Sequence, residues 1–443
     1  MISLPEAFVK RMAAQLGDEL PAFLRTYEED YTRGIRFNPF KAVDSALLPE
    51  GVEAQVPWEP CGRYLSLSST AGAHVLHEAG AYYLQEPSAM IPAAVLNAQP
   101  GERVLDLCAA PGGKSTQLGL RMAGQGTLVC NEPVFDRAKI LSRNVERMGI
   151  PNAVVTSAYP DRLSVYWPEA FDAIQCDAPC SGEGMFRRHP ETRSEWLPES
   201  PAGCAKRQAE ILDHAAIMLR RGGRLVYSTC TLNPVENEDT VNAFLQRHAD
   251  FHLEAFSLPG LDAPEGMLAI YPHRVRGEGH FVALLRKDGE GQAQWKTASP
   301  ALDGAAKTAV KVFRDFAPDQ PVSAVRLLGV DQRKVPEYEL SFLADMPDMS
   351  GKRAPAVLRA GLTLGTVKGK VFVPDHAWAM SICPPNVPRV TLTLEEAKRY
   401  QSGQTVDAQG KGWVLACYGD LALGWGKISD GVMKNHYPKG LRR

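Results

Sequence analysis

Phe8, Met12, Leu16 and Leu20, followed by Phe23, Leu24 and Tyr27, recur at helical spacing and predict a helix from about Pro5 to Tyr31. The Asn38-Pro39 pair inside RGIRFNPFK (33–41) breaks that pattern, and residues 56–67 read as irregular chain with one short strand. From His77 to Asn97 an apolar run returns. Pro87 and Ser88 lie close to its helix start, with Met90, Ile91, Ala94 and Val95 on the buried side. Residues 1–98 form an N-terminal extension.

A different rhythm begins at Arg103, where short β-rich apolar runs alternate with helical segments, the signature of βαβ units and a parallel sheet. Strands are expected at 103–108, 127–132, 153–157, 171–177, 223–230 and 280–286, and helices at 115–122, 136–148, 203–219 and 234–247. The last helix has its start spelled out: Asn233 as N-cap, Pro234 at the first helical position and Glu236 three residues after the cap. Residues 99–288 therefore read as a doubly wound, Rossmann-like α/β domain. After it, residues 289–350 read as a linker and a small domain of uncertain type, and 351–443 as a small β-rich domain punctuated by glycine.

A length of 443 residues suits about three domains, at roughly 150 residues each. The composition, 44% hydrophobic and 23% charged, excludes a disordered tail protein, a collagen-like repeat and a coiled coil. The net charge of -2 argues mildly against a polyanionic partner until it is partitioned. Residues 351–443 hold 14 Lys plus Arg against 6 Asp plus Glu, a net of +8 that leaves -10 on the rest. A basic β-domain beside a catalytic-looking one shifts the expectation toward nucleic acid. The nine cysteines have no regular short spacing, which fits a reduced, cytoplasmic protein. No signal-peptide core or membrane-spanning run is visible, so no membrane partner is expected.

The first strand of the α/β domain runs into Cys108-Ala109-Ala110-Pro111-Gly112-Gly113-Lys114 before Ser115 opens a helix. Small residues there let the backbone approach a ligand, and the helix N-terminus presents free N–H groups. A P-loop would need glycine where Cys108 stands, and the dinucleotide pattern GxGxxG is missing. Glu132, twenty residues after Gly112 at the end of the second strand, is placed to accept both hydroxyls of a ribose. An adenosine site without phosphate chemistry favours S-adenosylmethionine over NAD.

The fourth strand ends in Asp177-Ala178-Pro179-Cys180 and the next in Ser228-Thr229-Cys230, so both thiols belong at the carboxyl edge of the sheet. Cys176-x-x-x-Cys180 lacks a second ligand pair, and no metal is expected. Two thiols, a carboxylate and a methyl donor suit one reaction in particular. Thiolate addition at C6 of cytosine makes C5 nucleophilic toward a sulfonium methyl, and a base must then remove the C5 proton. Asp177, protonated or hydrogen-bonded at N3, would support the added charge. Chemistry alone leaves either Cys180 or Cys230 as the nucleophile.

Taken together, DLCAAPGGKSTQL (106–118), DAPCSGEGMFRR (177–188) and YSTCTLNPVENED (227–239) resemble the RsmB/Nop/NSUN family of RNA 5-methylcytosine methyltransferases. RGIRFNPFK and AGAYYLQEPSAM (79–90) resemble that family's RNA-binding extension, and the C-terminal segment is similar to the PUA-like tail of its RsmF-type branch, which modifies small-subunit ribosomal RNA. The resemblance implies Cys230 as nucleophile, Cys180 as the residue that assists release, and Asp177 at the cytosine and the methyl donor. It also implies S-adenosylmethionine held by Cys108 to Lys114, Glu132 and, more weakly, Arg137. An acidic cofactor contact after the third strand stays unassigned, with Tyr159 and Asp161 in that neighbourhood. The expectation is a monomeric RNA (cytosine-C5)-methyltransferase acting on small-subunit rRNA or the subunit. A transfer-RNA methyltransferase and a catalytically silent assembly factor remain as alternatives.

Overall fold

The computed structural model describes residues 3–297, 304–330, 336–349, 351 and 354–442. At its centre lies a mixed sheet of β1 (Arg103–Asp106), β2 (Thr127–Asn131), β3 (Ala153–Ser157), β4 (Phe171–Asp177), β5 (Leu219–Thr229) and β6 (His280–Lys287), ordered β6-β5-β4-β1-β2-β3. The first five are parallel and β6 runs antiparallel to β5. Neighbouring residues on each strand feed opposite cores: Val104, Leu128 and Val226 face one apolar cluster, Leu105, Val129 and Leu225 the other. Burial on both faces is why these strands read as unbroken apolar runs. Helices α1 (Gly113–Arg121) and α2 (Phe135–Arg147) cover the first face through Leu118, Leu141 and Val145. Helices α3 (Ser200–Met218) and α4 (Glu238–Arg247) cover the second through Leu212, Val241 and Phe244. The strand order reverses at β1, so the crevice beyond the carboxyl ends of β1 and β4 is where a ligand binds in such sheets.

Four expectations need correction. The N-terminal helix is broken: Glu6–Leu16 ends at Gly17, whose φ of 51° no helical residue adopts, and a second helix, Leu20–Arg25, comes after it with Pro21 in its first turn. The break folds Phe8, Met12 and Phe23 together onto Phe186, Trp196 and Leu232. Next, RGIRFNPFK opens with a strand, Gly34–Phe37, at the interior of a four-stranded antiparallel sheet with Val52–Gln55, Gly62–Leu65 and Tyr82–Leu84.

The helix expected to start at Asn233 starts later, at Glu238, although Asn233 Oδ1 does accept from the Val235 amide (3.1 Å) as a cap would. Its would-be first turn is drawn into other bonds: Asn233 donates to Glu183 (3.2 Å), Asn237 donates to the Thr231 carbonyl (3.1 Å), and the Glu236 carbonyl accepts from the Tyr227 hydroxyl (2.6 Å).

Finally, the division at residue 350 cuts through connected structure. One four-stranded sheet joins Ala324–Val330 and Pro336–Phe342 to Leu362–Lys368 and Val371–Pro374, while Ala356–Ala360 pairs antiparallel with β3 and so extends the central sheet. The linker-like stretch after Lys287 also lies against the domain up to Thr297: Trp295 donates to Asp345 (3.0 Å) and stacks under the Arg103 guanidinium. Residues 298–303 of that stretch lie outside the described residues. A five-stranded sheet, Arg389–Asn435, completes the chain. No helix among the described residues is long and apolar enough to cross a membrane.

Candidate active site

A cleft of about 750 Å³ opens at the carboxyl edge of β1, β2, β4 and β5. Of the residues singled out in the sequence, Cys108, Ala110, Glu132, Arg137, Asp177, Cys180 and Cys230 line it. A second cavity of about 200 Å³ adjoins it, sharing Cys108, Ala110 and Asp177 and adding Ala109, Pro111, Gly113 and Lys114. Gly112 lines neither. Its φ of 114° turns the chain into α1, and a Cβ there would stand 3.1 Å from Leu141.

The two thiols meet, with Cys180 Sγ 3.3 Å from Cys230 Sγ. Bonds on either side hold that approach. Glu236 receives both the Ser181 amide (2.9 Å) and the Ser181 hydroxyl, and it also accepts from Gln208 of α3 (3.1 Å). The Gly184 amide donates to the Cys230 carbonyl (2.9 Å), and a Cβ on Gly184 would lie 2.1 Å from the Gly279 carbonyl, so only glycine lets this loop close. The neighbouring Cys230 sulfur and burial together push the Cys180 thiol well above the usual range, so Cys180 keeps its proton.

Asp177 accepts from Lys114 Nζ and from Ser228 Oγ, both at 2.8 Å. Burial would raise this carboxyl, but the Lys114 ammonium and the hydrogen bonds from Lys114 and Ser228 outweigh it and hold it below the usual carboxylate range. Asp177 is therefore ionised and only accepts, which removes the protonated form from the two roles its position allowed. Burial takes His280 down to about 3, leaving it neutral beside Ser88 (3.1 Å).

Glu132 is buried. One oxygen accepts from the Val134 amide (2.9 Å) and the other lies 3.4 Å from Arg137, which also donates to the Ala110 carbonyl (3.3 Å). Arg137 thus ties the small-residue loop to Glu132.

Several residues escape a reading of the sequence. Asp106 lines the smaller cavity; Ser115 donates to its Oδ2 (2.6 Å), while its buried Oδ1 has no partner among the described residues. Burial pushes this carboxyl up to about 7. It stands inside the DLCAAPGG segment, where its type alone could have marked it. Tyr159 and Asp161, left unassigned, both reach the cleft. Arg207, Glu210, Ile211 and His214 of α3 also line it, a stripe at helical spacing that is legible only once that face is known to be turned inward.

Residues 93–286 match the family described as 16S rRNA methyltransferase RsmB/F, residues 4–87 the N-terminal domain of 16S rRNA methyltransferase RsmF, and residues 387–443 the methyltransferase RsmF PUA domain. A ribosomal RNA small subunit methyltransferase F of Salmonella paratyphi A is 33% identical over 476 residues, covering 100% of this chain and 97% of its own. That of Cronobacter sakazakii is 34% identical over 482 residues, with the same coverage. Among solved structures, a methyltransferase homologue from Pyrococcus horikoshii is 26% identical with a TM-score of 0.55, covering 65% of this chain and 96% of its own.

Proposed function

Because the chain belongs to the family of ribosomal RNA small subunit methyltransferases F, a group of S-adenosylmethionine-dependent 16S rRNA methyltransferases, we propose that it methylates carbon 5 of a cytosine through a covalent bond between Cys230 and C6. The observation that carries this reading is the 3.3 Å approach of the Cys180 and Cys230 sulfurs in a cleft shared with Glu132 and the loop of residues 108–114.

The donor fits the residues present. Glu132 is placed for ribose hydroxyls, and the buried Asp106 Oδ1, without a partner among the described residues, suits the cationic ammonium of an amino-acid end. When bound, S-adenosylmethionine supplies an electrophilic sulfonium methyl. Cys230, its thiol proton passed to solvent, would add to C6 of the base, and the electron pair released onto C5 would take the methyl and leave S-adenosylhomocysteine. Asp177 accepts from the cytosine amino group, while Lys114, held at 2.8 Å by Asp177, is the donor available to the ring's developing negative charge. In the release step a base takes the C5 proton and the C6–S electron pair returns to Cys230. Cys180, which keeps its proton, hydrogen-bonds the departing thiolate.

The extension of residues 1–98 and the basic C-terminal unit hold the RNA. In the C-terminal sheet Lys427 and Lys434 stand directly opposite each other on adjacent strands, and Lys427 lies over the Trp413 ring. Like charges in that register are unfavourable without an anion to bridge them.

The test is methyl transfer from labelled donor to 16S rRNA, followed by bisulfite sequencing. A cytosine that resists conversion is expected; label without any resistant cytosine would overturn C5 as the acceptor. A second expectation concerns pH. Pairing with an ammonium needs Asp106 ionised, so donor binding releases its proton: affinity should be flat above about pH 7 and fall about tenfold per unit below it. Calorimetric titration with S-adenosylhomocysteine from pH 5.5 to 8 reads this slope, and Asp106→Asn should abolish it. A flat wild-type profile would remove Asp106 from the donor site.

A further inference from the structure

We propose that Arg36, a cation of the motif expected to touch RNA, is instead a positioning residue for the methyl donor, holding the first turn of α1 and with it the donor loop. This rests on reading residues 108–114 and Glu132 as the donor site. Arg36 is 1% exposed, beyond reach of a phosphate. Its Nε donates to Gln85 Oε1, and its Nη2 donates to both the Gly113 carbonyl and Thr116 Oγ1, each at 2.9 Å. The rest of the motif is turned inward in the same way. Asn38 donates to the Met148 carbonyl (2.9 Å) and Lys41 to the Arg147 carbonyl (3.3 Å), fixing the extension to the far end of α2.

Two physical costs show that this placement is specific. Burying a guanidinium is expensive unless its N–H groups find acceptors, and a cation at a helix N-terminus opposes the helix dipole. What the arrangement secures is geometry. Gly113 precedes Lys114, whose ammonium holds Asp177, and Gly113 and Gln85 both line the smaller cavity with Asp106. The N-terminal extension thereby builds one wall of the donor site, and the donor loop is not completed by the α/β domain alone.

The experiment uses the full chain carrying Arg36→Lys or Arg36→Met, with Glu132→Ala alongside. Dissociation constants are measured for S-adenosylhomocysteine by calorimetry and for a 16S rRNA transcript by filter binding, together with kcat at saturating donor. Arg36→Met removes all three of these buried hydrogen bonds, and donor binding should weaken by at least about tenfold. A smaller loss is expected in Arg36→Lys, which keeps the charge and tolerates folding better. RNA affinity should stay within about twofold, and kcat should be largely retained. A purely structural role would lower all three together. RNA affinity falling while donor affinity holds would return the motif to RNA and overturn the proposal, as would donor affinity unchanged in Arg36→Lys and Arg36→Met. If Glu132→Ala weakens the donor and the Arg36 variants do not, this inference alone fails. If Glu132→Ala also leaves donor binding unchanged, the donor-site reading falls and takes the inference with it.

Discussion

Cys230→Ser is expected to lower methyl transfer by about 10⁴-fold or more, the scale on which removing a covalent nucleophile costs an enzyme. The barrier rises by about 5 kcal/mol for that factor. A serine hydroxyl is a weak nucleophile without an adjacent base. Among the described residues the one hydrogen-bonding neighbour of the Cys230 side chain is Cys180, a thiol that holds its own proton. No base stands ready to activate serine there, so the loss should appear in single-turnover rates and not only in KM. The residual donor and RNA affinities should match those of the wild type, which separates lost chemistry from lost binding. A variant that keeps more than about one per cent of the single-turnover rate would take the nucleophile's role away from Cys230.

Cys180→Ala should give the opposite phenotype. Addition and methyl transfer use Cys230, so one round of chemistry proceeds; release then lacks the thiol that stands 3.3 Å from the leaving sulfur. Turnover is expected to fall by at least about 10²-fold, the usual contribution of one proton-handling group. Up to one equivalent of enzyme should remain attached to RNA on a denaturing gel. Combining Cys230→Ser with Cys180→Ala should erase the attached band. If instead Cys180→Ser loses the adduct and Cys230→Ser accumulates it, the two roles are exchanged.

The central sheet was legible because parallel strands are buried on both faces and so appear as short apolar runs between helices. The six expected strands recur within a few residues, β5 starting four residues earlier than expected. The site was legible for a related reason: in such a sheet the residues that meet are those that end strands, and Asp177, Cys180 and Cys230 do so or come directly after. What escaped notice depends on partners distant in sequence. Asp106 is distinctive through an oxygen left without a partner, and the α3 stripe through the direction that helix faces. Asn233 makes the cap bond its type predicts, to the Val235 amide, but the turn after it is tied to Glu183 and Thr231 and α4 starts only at Glu238. Arg36 illustrates the same limit. Composition marks it as a surface cation, yet a fold that surrounds it with three acceptors makes it a buried strut.

The strand Ala356–Ala360, paired with β3 at Ala356↔Ser157, means that the central sheet is finished by residues synthesised roughly 200 positions after the strand they cover. At about 5–20 residues per second, translation leaves that edge bare for about 10–40 s on the ribosome. During this interval the exposed N–H and C=O groups of an apolar strand are open to pairing with another chain. Slow or interrupted synthesis of the second half should therefore lead to aggregation of the first.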